Sequence, residues 1–168
     1  MRILVAGTPG VGKTTFSSEV SKEFGMSHVE VSAYIEQNKL YTEFDKKYAT
    51  LLFDEDLVGS SLERYLSAMD SYVVDTHSCE VVKTLSFDLI FVLTTPIEVL
   101  YKRLRSRGYG EVKIKENIEC EIFGVVREEV EEIFGMNFYV VGEENDAITL
   151  DSAMDLIRRR INDGKHIQ

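Results

Sequence analysis

The sequence predicts an α/β fold: one domain over residues 1–168, with a five-stranded parallel sheet sandwiched between helices in three layers. Three observations predict it. Short β-branched runs alternate with amphipathic helical stretches. Several of those runs are apolar without alternation, as strands covered on both faces are. The first run passes through a glycine-rich turn directly into a helix.

In chain order, the strand candidates are Arg2-Ile3-Leu4-Val5-Ala6, His28-Val29-Glu30-Val31, Tyr72-Val73-Val74-Asp75, Leu89-Ile90-Phe91-Val92-Leu93 and Phe138-Tyr139-Val140-Val141. Between the first two, Phe16, Val20 and Phe24 recur at helical spacing. Leu57, Val58, Ser61, Leu62, Tyr65, Leu66 and Met69 mark a second helix. A third begins at Thr95-Pro96, where Thr95 can cap and Pro96 suits the first helical position. Glu-Ile-Phe-Gly occurs at 121–124 and again eleven residues on at 132–135, close to three helical turns. This predicts one helix face lined by Ile122, Val126, Val130 and Ile133; helices over residues 125–134 and 153–161 complete the series. With two prolines and no Ser-rich or repetitive tract, nothing divides the chain.

The turn after the first strand reads Gly7-Thr8-Pro9-Gly10-Val11-Gly12-Lys13-Thr14, a match to G-x-x-x-x-G-K-[ST] in its strand-then-helix setting. Gly7, Gly10 and Gly12 allow the tight turn of a P-loop, and the backbone N–H groups of this stretch, Val11 included, point at phosphate oxygens beside the positive end of a helix. Lys13 is then expected to bridge the β- and γ-phosphates of ATP and Thr14 to bind Mg²⁺, with Thr15 adding a hydroxyl to the α-phosphate.

Such a site also uses an acid at a strand end, and Asp75 supplies one after an apolar run, acting on the metal through water. His77, two residues on, can orient water or a phosphate; the alternative is a surface or capping residue. Lys102, Arg103, Arg105 and Arg107 lead into Gly108-Tyr109-Gly110, either approaching triphosphate oxygens or complementing a helix dipole. The guanine signature N-K-x-D is absent, since Asn38-Lys39-Leu40-Tyr41 lacks the acid, and ATP is the expected nucleotide.

Composition narrows the rest. Nineteen Lys and Arg against 29 Asp and Glu give a formal charge of −10, which disfavours a broad nucleic-acid surface and favours basic partners. No apolar run approaches the ~20 residues of a membrane-spanning helix. Cys79 and Cys120 are the only cysteines, and no secretory leader opens the chain, so a reducing, cytoplasmic location is expected.

Taken together, these segments resemble the adenylate kinase isoenzyme 6 family of coilin-interacting nuclear ATPases, from Ile3 to about Phe134. The marks are the P-loop through Thr15, Leu40-Tyr41 with Phe44-Asp45 and Asp54-Glu55-Asp56, Asp75-x-His77, Arg107-Gly108-Tyr109, and Asn117-Ile118-Glu119-Cys120-Glu121-Ile122-Phe123. The resemblance implies an adenylate-kinase-like core with a nucleoside-monophosphate-binding segment over residues 30–53 and a lid over residues 107–117. It also implies phosphoryl transfer from ATP to nucleoside monophosphates, ATP hydrolysis, Lys13, Asp75, His77 and Arg107 as the catalytic set, and a nuclear location beside the cytoplasmic one. The role it implies is late maturation of the small ribosomal subunit and its rRNA, through a basic ribosomal protein of the platform. Other uses of the motif are a P-loop kinase of another small metabolite, or a non-catalytic ATP-binding assembly factor.

The chain departs from the family at three places. Ala33-Tyr34-Ile35-Glu36 stands for D-L-A-R, Thr94-Thr95-Pro96 for R-T-D, and Val81-Val82-Lys83-Thr84-Leu85-Ser86-Phe87 for an aromatic-rich stretch. Glu36 puts a negative charge where a phosphate-binding arginine is expected, and AMP is therefore expected to bind weakly unless Lys39, Lys46 or Lys47 compensates.

Overall fold

The computed structural model describes residues 1–45, 50–143 and 146–165. Lys46 and Lys47 lie outside the described residues.

Five strands form one parallel sheet: β1 (Arg2–Ala6), β2 (Ser27–Glu30), β5 (Tyr72–Thr76), β6 (Leu89–Leu93) and β7 (Tyr139–Val141), in the spatial order β2-β5-β1-β6-β7. A separate antiparallel pair, β3 (Glu43–Asp45) and β4 (Thr50–Leu52), stands apart from it. Helix α1 (Lys13–Phe24) follows β1, α2 (Val31–Gln37) follows β2, and α3 (Glu55–Leu66) precedes β5. After a 3₁₀ turn at Glu80–Val82 and β6 come α4 (Ile97–Ser106), α5 (Glu111–Ile122), α6 (Val125–Phe134) and, past β7, α7 (Leu150–Lys165).

The strands are apolar without alternation because both faces are covered. Leu4, Ala6, Val74 and Val92 pack on one face with Val58, Leu62 and Leu66 of α3 and Val126 and Val130 of α6. Ile3, Val5, Val73 and Phe91 pack on the other with Phe16 and Val20 of α1, Leu100 and Leu104 of α4, and Ile157 of α7. Connections from β1 and β5 run toward opposite edges of the sheet, so a crevice opens beyond the carboxyl ends of these two paired strands.

Three local expectations change. Residues 121–135 are two helices, because Gly124 takes φ +66°, a left-handed conformation that ends α5 and turns the chain before α6. Val126 and Val130 stay buried, while Ile122 is turned outward at that elbow beside Phe123, which is 71% exposed. Leu57 is also exposed, since the buried face of α3 runs through Val58, Leu62 and Leu66, and Asp54 rather than an apolar residue fixes the helix start by accepting from Leu57 N–H at 2.9 Å. Pro96 is itself the cap of α4, and Thr95 is buried with its N–H donated to Glu121 Oε1 at 3.1 Å.

Candidate active site

The crevice holds a cleft of about 760 Å³. Its floor is the turn between β1 and α1. Gly7 is required there by close approach: a Cβ at this position would lie 2.6 Å from the Leu93 carbonyl oxygen. The Lys13 ammonium donates to the carbonyls of Gly7 at 2.7 Å and Thr8 at 3.1 Å, which curls the turn around it. The Lys13 pKa is lowered to about 8, chiefly by burial; Asp75 opposes the shift and the Arg107 charge adds to it. Gly10, Gly12, Thr14 and Thr15 line the cleft, but the Val11 side chain is buried in the core and its N–H is donated to Thr8 O at 3.3 Å.

Asp75 lies next to last in β5, so its carboxylate projects from the strand end into the cleft. Thr14 Oγ1 donates to its Oδ1 at 3.4 Å, and His28 Nε2 meets its Oδ2 at 2.6 Å. The parallel register that sets Glu30 opposite Asp75 brings a second carboxylate alongside. Burial and then the charge of Asp75 raise the Glu30 pKa.

His77 lies just past β5, at the open side of the cleft. Although the residue is exposed at the surface, the surrounding cleft walls crowd its ring and the Lys13 and Lys113 ammonium groups repel a proton, holding its pKa down, to about 4. It is therefore neutral at pH 7. Its backbone is fixed from both sides: Thr76 Oγ1 donates to Ser78 O at 2.8 Å, and Glu129 Oε1 of α6 accepts from Cys79 N–H at 2.9 Å and Glu80 N–H at 3.2 Å.

Arg107 caps α4 and lines the cleft. Arg103, one turn earlier, serves the loop rather than open space, donating from Nη1 to Gly10 O at 3.3 Å and Val11 O at 3.0 Å. Residues 107–117 are a turn at Gly108 followed by the first two turns of α5, not a loop throughout. That helix brings Lys113 into the cleft, its ammonium 4.5 Å over the Tyr109 ring. Residues 30–53 supply the remaining wall through Ser32, Glu36, Phe44, Thr50, Leu51 and Phe53.

The sequence-predicted residues Lys13, Thr14, Asp75, His77 and Arg107 thus share one cleft. Three others escaped prediction. His28 and Glu30 become visible only once β2 is paired with β5, and Lys113 carries no motif of its own. No group of three or more His, Cys, Asp or Glu side chains capable of holding a metal occurs among the described residues. Mg²⁺ in a phosphate site does not require one, since one or two protein oxygens, substrate phosphates and water complete its shell. The hard oxygens of Thr14 and Asp75, 3.4 Å apart at the cleft floor, fit that ion.

A family model described as an AAA domain matches residues 3–124. A Caenorhabditis elegans protein described as an adenylate kinase isoenzyme 6 homolog is 44% identical over 79% of this chain and 73% of its own length. A Plasmodium falciparum protein of the same description is 34% identical over 93% of this chain and 92% of its own. Among solved structures, the Acinetobacter baumannii shikimate kinase in complex with shikimate has a TM-score of 0.60 over 98% of this chain and 94% of its own, at 16% identity. The M. mycoides deoxyadenosine kinase with bound dATP has a TM-score of 0.58 over 96% and 100%, at 17% identity. At such identities these two show the fold alone, that of the P-loop kinases. The motifs, the cleft and the identity with the two homologs together place the chain in the adenylate kinase isoenzyme 6 family.

Proposed function

We propose that this protein is an ATP- and Mg²⁺-dependent nucleoside-monophosphate kinase that also hydrolyses ATP, serving late maturation of the small ribosomal subunit. The observation that carries the enzymatic reading is the convergence of Lys13, Thr14, Asp75, His77 and Arg107 on one cleft. In this reading the turn through Gly10 and Gly12 cradles the ATP phosphates with backbone N–H groups at the start of α1. Lys13 exchanges its two carbonyl acceptors for phosphate oxygens and offsets charge that builds during transfer. Arg107 and Lys113 approach from the opposite wall and hold the phosphoryl group in line with its acceptor. Thr14 and, through water, Asp75 would hold Mg²⁺, which supplies charge neutralisation across the β- and γ-phosphates.

Neutral His77 can accept a hydrogen bond from an attacking water, whereas the ionised oxygen of a monophosphate attacks without needing a base. Hydrolysis then gives ADP and phosphate, whereas transfer gives ADP and a nucleoside diphosphate. Glu36 in the acceptor wall favours the hydrolytic branch, because a carboxylate repels the monophosphate. Arg103 takes no part in either branch beyond fixing the loop carbonyls.

Following the label from γ-labelled ATP, with and without AMP, tests this reading. Labelled nucleoside diphosphate or free phosphate supports it. Label on another metabolite points to a different kinase, and bound, unhydrolysed ATP to an assembly factor that only switches shape. The ribosomal role is supported by the family resemblance and by the −10 charge, which suits a basic platform protein. Capture of such a protein by this chain, compared with and without Mg-ATP, tests it; the setting is the cytoplasm, with the nucleus second.

A further inference from the structure

The Asp75 side chain is only 3% exposed, and its two oxygens meet different partners. Oδ1 receives Thr14 Oγ1–H, and Oδ2 lies 2.6 Å from His28 Nε2, which is the donor of that pair because a carboxylate can only accept. The last torsion of an aspartate is broad and nearly two-fold, so a carboxylate held at one oxygen alone can still swing. Glu30 adds a push: it sits opposite Asp75 in the β2–β5 register, and like charges side by side favour turning away. The Lys13 charge attracts both carboxylates, but its ammonium does not hold either Asp75 oxygen in place. Among the described residues Lys13 is bonded to Gly7 O and Thr8 O, and the one ion pair of Asp75 is with His28.

We infer that His28 is a positioning residue: by holding Asp75 Oδ2 it aims Oδ1 at Thr14, and so sets how much tighter the cleft binds ATP with Mg²⁺ than without it. This rests on the Mg-ATP reading above. The outer partner of a metal-site group typically changes metal affinity about 10–100-fold. His28 reaches this role because it is two residues before Glu30 on β2, where side chains of equal parity leave the same face of the sheet.

The test is equilibrium binding of a non-hydrolysable ATP analogue, in Mg²⁺ and in EDTA, with melting temperatures to verify the fold. His28→Phe keeps a ring but no donor, and is expected to lose about 10-fold of the gain that Mg²⁺ gives, with affinity in EDTA unchanged. His28→Gln puts an amide N–H near the place of Nε2 and is expected to restore most of that gain. Should the Phe variant fail to fold, His28→Asn takes its place, being polar but too short to reach Oδ2.

A donor-less variant that keeps the full Mg²⁺-dependent gain overturns the proposal. So does equal weakening in Mg²⁺ and EDTA, which is the signature of lost packing. A wild-type protein that binds the analogue with no gain from Mg²⁺ overturns the functional reading, and this inference with it.

Discussion

The half of the cleft next to β1 and the half contributed by residues 30–53 are built on different terms. The first is braced: Lys13 is tied to two loop carbonyls, Arg103 to two more, and Asp75 is held from both sides. Its cations, Lys13, Arg107 and Lys113, converge from three elements. The second half rests on a seven-residue helix and two three-residue strands, with Phe44 half exposed, and among its described residues the charges lining the cleft are Glu30 and Glu36. A phosphate donor and a phosphate acceptor make the same electrostatic demand. Under the proposed function, the contrast therefore teaches that the donor half is built to meet phosphate charge and the acceptor half is not.

The largest expected effect breaks the braced half. Lys13→Ala should lower turnover about 10²–10³-fold, the usual consequence of removing a preorganised charge beside the reacting group. The fold should persist, because the ammonium bonds only loop carbonyls, and a melting curve beside the rate measurement separates loss of chemistry from loss of structure. Turnover near the wild-type rate in a folded variant would remove the loop from the active site.

Next in size is the reverse experiment on the acceptor half. Glu36→Arg replaces a repelling carboxylate with a donor suited to phosphate, and a hydrogen bond to a charged group contributes about 1.5–3 kcal/mol. The Michaelis constant for AMP should fall about tenfold or more while that for ATP stays put. Saturation of the wild-type enzyme by micromolar AMP, an ordinary substrate scale, would mean that other groups already bind the acceptor phosphate.

A smaller effect comes from His77. Its pKa is held at about 4 in the fold against 6.5 for a free imidazole, so between these values the unfolded chain takes up the proton and the folded chain does not. This contribution to stability is present above pH 6.5 and is lost as pH falls toward 4, and solvent screening at the exposed ring keeps it small. His77→Gln should flatten that decline, seen as a melting temperature that drops less than the wild type's between pH 7 and pH 5. Parallel declines would place the ring in bulk-like water.

The smallest effect concerns the lid. Ile114 N–H is already bonded to Gly110 O inside α5, so amides from Ile114 onward have helical partners before any nucleotide arrives. A bound ATP analogue should therefore slow hydrogen exchange mainly at residues 107–113, around the turn and the entry to the helix. Slowing spread evenly through α5 would mean that the whole helix, not its entry, closes.

Legibility in the sequence follows the range of the contacts. The strands, the P-loop and the Asp75 strand end were readable because apolar runs and motif spacing are local properties. His28 was not, since its meeting with Asp75 depends on pairing across 47 positions. Arg103 was legible as a cation near the site but not as a brace, because its acceptors are main-chain carbonyls that carry no sequence mark. The division of α5 from α6 was hidden for a different reason: a glycine can continue a helix or end it, and the apolar spacing across Gly124 fits either. The β3–β4 pair, three residues a side, is too short for period-two alternation to register.

That break at Gly124 reaches further than the helices it separates. On one side of it, Glu121 grips the segment leaving β6 at Thr95; on the other, Glu129 grips the segment leaving β5 at Cys79 and Glu80. Strand β1 runs between β5 and β6, so the P-loop emerges between the two gripped segments. The angle at one outward-facing joint is thus the calliper setting for the gateway through which the phosphate-binding turn enters the cleft.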